Sequence, residues 1–157
     1  MNPAQPPVAN QVTVLIAEDD DGHADLIIEL LRDAGMKNPI VRFRDGQEVL
    51  DYLRDENGRS RLEYGRRYLL LLDIRMPRVD GVTVLRQMKA HPHWKGIPVI
   101  MLTTTDDPRE VEECYACGCN CYVVKPVDFN RFSAVLRQLG LFLMIVQLPS
   151  LQADSAA

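Results

Sequence analysis

Five apolar residues in a row, Tyr68 to Leu72, run directly into an aspartate, Asp73. The run is too short for a stable helix and has no polar alternation. It therefore predicts a strand covered on both faces, the environment of a central strand in a parallel sheet. In open α/β sheets ligands bind just beyond the carboxyl ends of the strands, and Asp73 occupies such an end. Most aspartates at strand ends cap a helix or close a turn. Here the following turn has its own cap in Asp80, with Gly81 after it and Pro77 before, which leaves Asp73 without a structural task.

The rest of the chain alternates in the same way. Val12 to Ala17 predicts a first buried strand; Leu26, Ile27, Leu30, Leu31 and Ala34 then recur at helical spacing and stop at Gly35. Ile40 to Phe43 predicts a second strand, and Asp45 caps a helix that turns Val49, Leu50 and Leu53 inward. The arginine-rich segment Arg54 to Arg67 predicts a solvated loop. After the Asp73 strand come a helix from Gly81 to about His91, a strand from Ile97 to Leu102 and a helix starting at Pro108. A fifth strand, Cys121 to Val124, and a last helix from Asp128 to about Leu148 complete the order. Five strands alternating with five helices predict a doubly wound, five-stranded parallel α/β sheet.

Composition narrows the function classes. A chain of 157 residues, 46% hydrophobic and 25% charged, is long enough to bury one substantial core. A net charge of −4 argues against a nucleic-acid partner, which needs a basic face. The opening segment has neither the basic start nor the apolar centre of a secretory signal, and no apolar stretch approaches the ~20 residues of a membrane span. A cytoplasmic protein without a membrane partner is expected, with residues 1–10 a disordered arm, 11–149 one domain and 150–157 a disordered tail. Cys114, Cys117, Cys119 and Cys121 crowd a helix end, a Gly118 turn and a strand, where alternate side chains point to opposite faces. That spacing suits small, buried, reduced thiols better than a zinc site or a redox pair.

The residues at the carboxyl ends of the strands form a set: Glu18, Asp19 and Asp20 after the first, Asp73 after the third, Thr103 after the fourth, and Lys125 with Pro126 after the fifth. If those strands are neighbours, the groups converge on one crevice. Carboxylates so close raise each other's pKa unless a cation offsets them, and an all-oxygen donor set selects a hard ion such as Mg2+. An aspartate beside such an ion, faced by an ammonium and a hydroxyl, suits acceptance of a phosphoryl group.

From about Val12 to Leu139 the chain resembles the receiver domain of two-component response regulators. The family's acidic pair is matched by Glu18 and Asp19, its phosphoacceptor by Asp73, and its MP and DG signature by Met76, Pro77, Asp80 and Gly81. Its switch threonine is matched by Thr103, its switch aromatic by Tyr122, and its lysine before a proline, typically a cis bond, by Lys125 and Pro126. The resemblance implies a flavodoxin-like strand order 2-1-3-4-5, a Mg2+ site completed by the backbone carbonyl of Arg75, and phosphorylation of Asp73 by a histidine kinase. It implies a signalling protein that catalyses only its own phosphorylation and dephosphorylation, rather than an enzyme acting on other substrates. Three positions depart from the family's commonest pattern or tune it. Glu18 replaces an aspartate, and Arg75 and Thr105 border the phosphoryl position, where they could alter the lifetime of the acyl phosphate.

Too little chain follows Lys125 for an output domain, so the expected output is a contact with another protein. Leu139, Leu141, Phe142, Leu143, Met144, Ile145, Val146 and Leu148 are apolar nearly all round the last helix. One sheet covers only one stripe of a helix, so a homodimer through Leu139, Phe142, Leu143 and Val146 is expected. The long segment after the second helix and the closing RQLGLFLMIVQLP look more loosely like the regulators paired with bacterial phytochrome kinases. A haloacid-dehalogenase phosphatase would want a second acid where Arg75 stands. An unphosphorylated receiver-like scaffold would ordinarily lack one of the acids, the threonine or the lysine.

Overall fold

A computed structural model of the protein describes residues 11–151. The proposed N-terminal arm, residues 1–10, and residues 152–157 of the proposed tail lie outside the described residues. The elements, in chain order, are β1 Val12–Ala17, α1 Asp21–Asp33, β2 Ile40–Phe43, α2 Gly46–Leu53, β3 Arg67–Leu72, α3 Gly81–Ala90, β4 Val99–Thr103, α4 Pro108–Cys117, β5 Cys121–Val124 and α5 Phe129–Ile145. All strand pairs are parallel, in the order β2-β1-β3-β4-β5. The doubly wound sheet expected from the alternation is therefore present, with the order that the resemblance implied.

Each face of the sheet carries one apolar cluster. Leu15, Leu70, Leu72, Val99 and Met101 pack with α2, α3 and Trp94; Val14, Ile16, Leu69, Leu71, Ile100 and Leu102 pack with α1 and α5. Alternate residues of β1, β3 and β4 thus enter opposite clusters, which is why these strands show continuous apolar runs. All five helices begin at an aspartate whose side chain accepts a backbone N–H of the first turn: Asp20, Asp45, Asp80, Asp107 and Asp128. Helix α4 ends at Gly118, whose φ of 103° lies in the left-handed region that a side chain disfavours.

Several boundaries differ from the sequence reading. Strand β4 starts at Val99, not Ile97, because Pro98 has no N–H to donate and the Ile97 N–H bonds the Trp94 carbonyl at 3.0 Å. Helix α5 ends at Ile145 rather than Leu148. Pro149 biases the residue before it away from the helical region, and Arg67 Nε donates to the Leu148 carbonyl at 2.8 Å. Beyond that point the chain is docked, where a disordered tail was expected from residue 150. Leu151 is buried in the α2–α3 cluster, its N–H bonds the Arg66 carbonyl at 2.7 Å, and its carbonyl accepts from Gly65 at 2.8 Å. The arginine-rich segment is likewise more than solvated: the Arg54 guanidinium lies 5.1 Å from the ring centre of buried Trp94.

The apolar end of α5 divides differently from the expectation. Phe132, Leu136, Leu139 and Leu143 form one stripe at helical spacing that faces the α1 side of the sheet, so Leu139 is buried within its own domain and Leu143 is partly covered. Leu139 is therefore withdrawn from the expected dimer surface, and Val146 is only half-exposed at the helix cap. Phe142 stays exposed, together with Leu141, Met144 and Ile145. The cysteines also divide. Cys114 and Cys119 are buried, Cys117 is half-buried, and Cys121 is exposed because β5 is an edge strand. All four are free thiols.

Candidate functional site

The carboxyl ends of β1, β3, β4 and β5 do bring their terminal residues together. The Asp73 N–H bonds the Ala17 carbonyl at 3.1 Å, which sets Asp73 beside Glu18. The Lys125 N–H bonds the Thr103 carbonyl at 2.7 Å, which pins the β5 end against β4. Lys125 is 3% exposed, Glu18 2% and Asp73 7%, so three charged side chains share a nearly dry pocket. Lys125 Nζ lies 3.0 Å from Asp73 Oδ2 and also donates to Glu18 Oε2. One ammonium thus serves two buried carboxylates, an arrangement that persists only because the partners desolvate together. Burial, and then the hydrogen bond it shares with Asp73, push the Glu18 carboxyl up to about 7, while Lys125 pulls the other way.

The first acidic loop is held from outside. Arg42 on β2 donates to the Glu18 carbonyl through Nε at 3.1 Å and Nη2 at 2.8 Å, and through Nη1 to Asp21 at 2.7 Å. Asp20, which the sequence grouped with the site acids, instead caps α1 by accepting from the His23 N–H at 2.8 Å. Asp19 is left exposed at the rim, with one of its oxygens among a group from Glu18, Asp19 and Asp73 that all lie within 4.8 Å of one another. Among the described residues this is the one group of three or more such side chains suited to a metal ion, and the cysteines form none. Its all-oxygen donors fit a hard divalent cation.

The β3–α3 loop is shaped by two backbone constraints. The Gly81 N–H bonds the Ile74 carbonyl at 2.7 Å, and a Cβ on Gly81 would stand 1.9 Å from the Asp73 carbonyl oxygen, so only glycine permits the turn to close under the site. Arg78 takes a φ of 64°, uncommon for a side-chain-bearing residue, and is held there by bonds of 2.8 and 3.1 Å to Asp45. The paired arginine in turn holds the Asp45 carboxyl below the usual carboxylate range. Beside the site opens a cleft of about 640 Å³, lined by Asp19, Arg75, Met76, Asp80, Arg86 and Glu110 among others.

The remaining expected residues surround this centre. Thr103 is buried at the end of β4. Tyr122 is half-buried on β5, with its hydroxyl donating to the Thr105 carbonyl at 2.8 Å, and desolvation pushes its phenol up to about 12. The side chain of Arg75 is 73% exposed and lies 3.6 Å from Glu110. Pro126 follows Lys125, but the bond between them is trans, against the cis bond that the resemblance implied. Trans is the favoured state of an X-Pro bond by about 0.5–1 kcal/mol, and with it Lys125 already reaches both carboxylates.

Sequence reasoning missed His23. Its Nδ1 lies 3.5 Å from Lys125 Nζ and 3.7 Å from Glu18, and its ring meets Phe132 edge-on at 5.6 Å. The only signal was position: it stands in the first turn of a helix that starts at the acidic loop.

This geometry has known counterparts. The model of the response regulator receiver domain matches residues 14–137. The chain belongs to that family. A receiver domain from Rhodospirillum rubrum superposes with a TM-score of 0.86 at 42% identity, covering 90% of this chain and 99% of that one. Response regulator Rcp1 of Synechocystis is 30% identical over 141 residues, 87% of this chain and 92% of its own. Its Mn2+-bound structure gives a TM-score of 0.77 at 27% identity over 87% of this chain and 98% of that one. The phosphorylated cyanobacterial phytochrome response regulator RcpA gives 0.79 at 30% identity, covering 89% of this receiver and 99% of that one. The receiver fold and its place among two-component response regulators follow. Among the described residues no helix is long and apolar enough to cross a membrane.

Proposed function

We propose that the protein is a response regulator that takes a phosphoryl group from a histidine kinase onto Asp73 and signals by contact with other proteins. The observation that carries this reading is the buried Asp73 carboxylate, 3.0 Å from Lys125 Nζ and grouped with the oxygens of Glu18 and Asp19, in a chain of the receiver family. Glu18, Asp19, Asp73 and the Arg75 backbone carbonyl would hold Mg2+, and the Mn2+-bound Rcp1 supports a divalent ion in such a pocket. The ion supplies charge neutralisation for the incoming phosphoryl oxygens.

An Asp73 oxygen attacks phosphorus in line, the bond from phosphorus to the kinase histidine breaks, and the ring nitrogen keeps the electron pair. Lys125 and the Thr103 hydroxyl hold the phosphoryl oxygens. Thr103 moves toward the added charge and Tyr122 adjusts its packing behind it, which passes the change to the β4–α4 loop through the Thr105 carbonyl. The protein is in this reading no enzyme toward other molecules; its chemistry acts on itself.

A phytochrome-type kinase is the favoured partner, since the phytochrome response regulator RcpA is among the matching structures. A homodimer is proposed through the exposed end of α5, now centred on Leu141, Phe142 and Ile145 rather than on Leu139.

Incubation with Mg2+ and acetyl phosphate, read by intact mass, should add one phosphoryl group to the wild type and none to Asp73→Asn. No gain on the wild type, or the same gain on the variant, would sink the reading. For the dimer, Phe142→Glu with Ile145→Glu should give a monomer by light scattering; a dimer of unchanged mass would place the interface elsewhere.

A further inference from the structure

Glu110 stands at the third position of α4, behind the N-cap Asp107, which accepts the Arg109 N–H at 2.9 Å. A glutamate at that position ordinarily turns back to bond the N-cap N–H. Here it faces the site cleft instead. One carboxylate oxygen accepts the Thr105 hydroxyl and the other lies 3.6 Å from Arg75 Nη2. Thr105 follows Thr103 by two residues, Arg75 follows Asp73 by two, and the Tyr122 hydroxyl bonds the Thr105 carbonyl at 2.8 Å. Glu110 therefore ties together the loop after β3, the loop after β4 and the first turn of α4, and both it and Arg75 line the cleft beside Asp19.

We infer that Glu110 is a positioning residue that parks Arg75 at the rim of the site and releases it when Asp73 is phosphorylated, so that the same exchange lengthens the life of the acyl phosphate and loosens the start of α4. The inference rests on Asp73 being the phosphoacceptor. The Arg75 side chain is largely exposed, and an exposed ion pair of this kind is weak. An aspartyl phosphoryl group carries roughly −1.5 to −2 charges and three acceptor oxygens, so it is a better partner for the Arg75 guanidinium than the single carboxylate of Glu110 is. Arg75 then leaves Glu110 and covers the phosphoryl group. Glu110 keeps only the Thr105 hydroxyl, on the loop whose carbonyl anchors Tyr122. Removal of the group is hydrolysis: the water oxygen bonds to phosphorus and the bond from phosphorus to the Asp73 oxygen breaks. The carboxylate keeps that electron pair, a water proton is released and inorganic phosphate departs. Arg75 slows this by occupying the approach of the water.

The test is the decay of the phosphorylated full chain in Mg2+ after the acetyl phosphate donor is removed, followed by intact mass. Glu110→Gln frees Arg75 and should slow decay about threefold, at the lower end of couplings between contacting residues. Arg75→Ala should hasten decay by a similar factor. In the Arg75→Ala background Glu110→Gln should then change nothing. A structural effect of Glu110 would persist in that background, so an undiminished effect there overturns the inference, as does wild-type decay in Glu110→Gln alone. Both side chains are partly exposed, and circular dichroism checks that each variant is folded. A wild type that takes up no phosphoryl group overturns the acceptor reading and this one together; a wild type that is labelled but shows additive variants overturns this one only.

Discussion

At the carboxyl end of the sheet, short loops hold Glu18, Asp73 and Lys125 in a buried cluster with more negative charge than positive. At the amino end, the loops are closed by packing. Trp94 is 1% exposed, stacks on His91 with ring centres 3.7 Å apart, lies under the Arg54 guanidinium and donates its indole N–H to Ser60 at 3.2 Å. Leu151 plugs the same end. One end buries aromatic and apolar surface and adds to stability; the other keeps charges in excess and withholds stability for the sake of a ligand.

Trp94→Ala should show the largest effect. It leaves a cavity at the amino end and should cost about 3–5 kcal/mol in urea unfolding. The remaining folded protein should still bind divalent cations as the wild type does, and a loss of that binding would mean that the two ends are coupled.

Glu18 gives the opposite sign. Its carboxyl is raised from 4.5 to about 7 in the folded state, so between those pH values the folded protein binds more protons than the unfolded chain. Stability without divalent ions should therefore be highest below about pH 4.5 with respect to this group and fall as pH rises through 7, by on the order of 2–3 kcal/mol. Glu18→Gln should flatten that slope, which chemical denaturation at pH 5 and pH 8 measures. A wild type that gains stability over this interval would show that the cluster is not under charge stress.

Leu151→Ala should cost about 2 kcal/mol, the low end for a buried leucine, because the chain end can relax into the gap. An unchanged unfolding midpoint would return residues 149–151 to the status of a tail. Asp45→Ala should cost about 1 kcal/mol, since the aspartate both caps α2 and holds Arg78. The Asp45 carboxyl is lowered from 3.8, so its stabilisation is present above that pH and is lost as pH falls through the lower folded value. The variant and wild type should therefore converge in strong acid.

Much of this was legible before any coordinates. Strand β1 fell at the residues that its apolar run delimits, because a strand buried on both faces must be apolar without alternation, and the short edge strands β2 and β5 fell at the expected residues as well. The site aspartates, Thr103 and Lys125 were visible because each ends such a run. The residues that hold them were not. Arg42, His23 and Glu110 reach the site from β2, α1 and α4, and nothing in their local sequence distinguishes them from solvated charges.

The chain's own pattern thus determined the alternation of elements, the caps, and the chemical kind of group at each strand end, because periodicity and termination are local properties. Tertiary structure alone decided what covers what. It buried Leu139 while leaving Phe142 exposed, docked Leu151, and turned Glu110 from its own helix toward Arg75. Those outcomes depend on which surfaces meet in space, and residues distant in sequence carry no mark of their partners until the sheet brings them together.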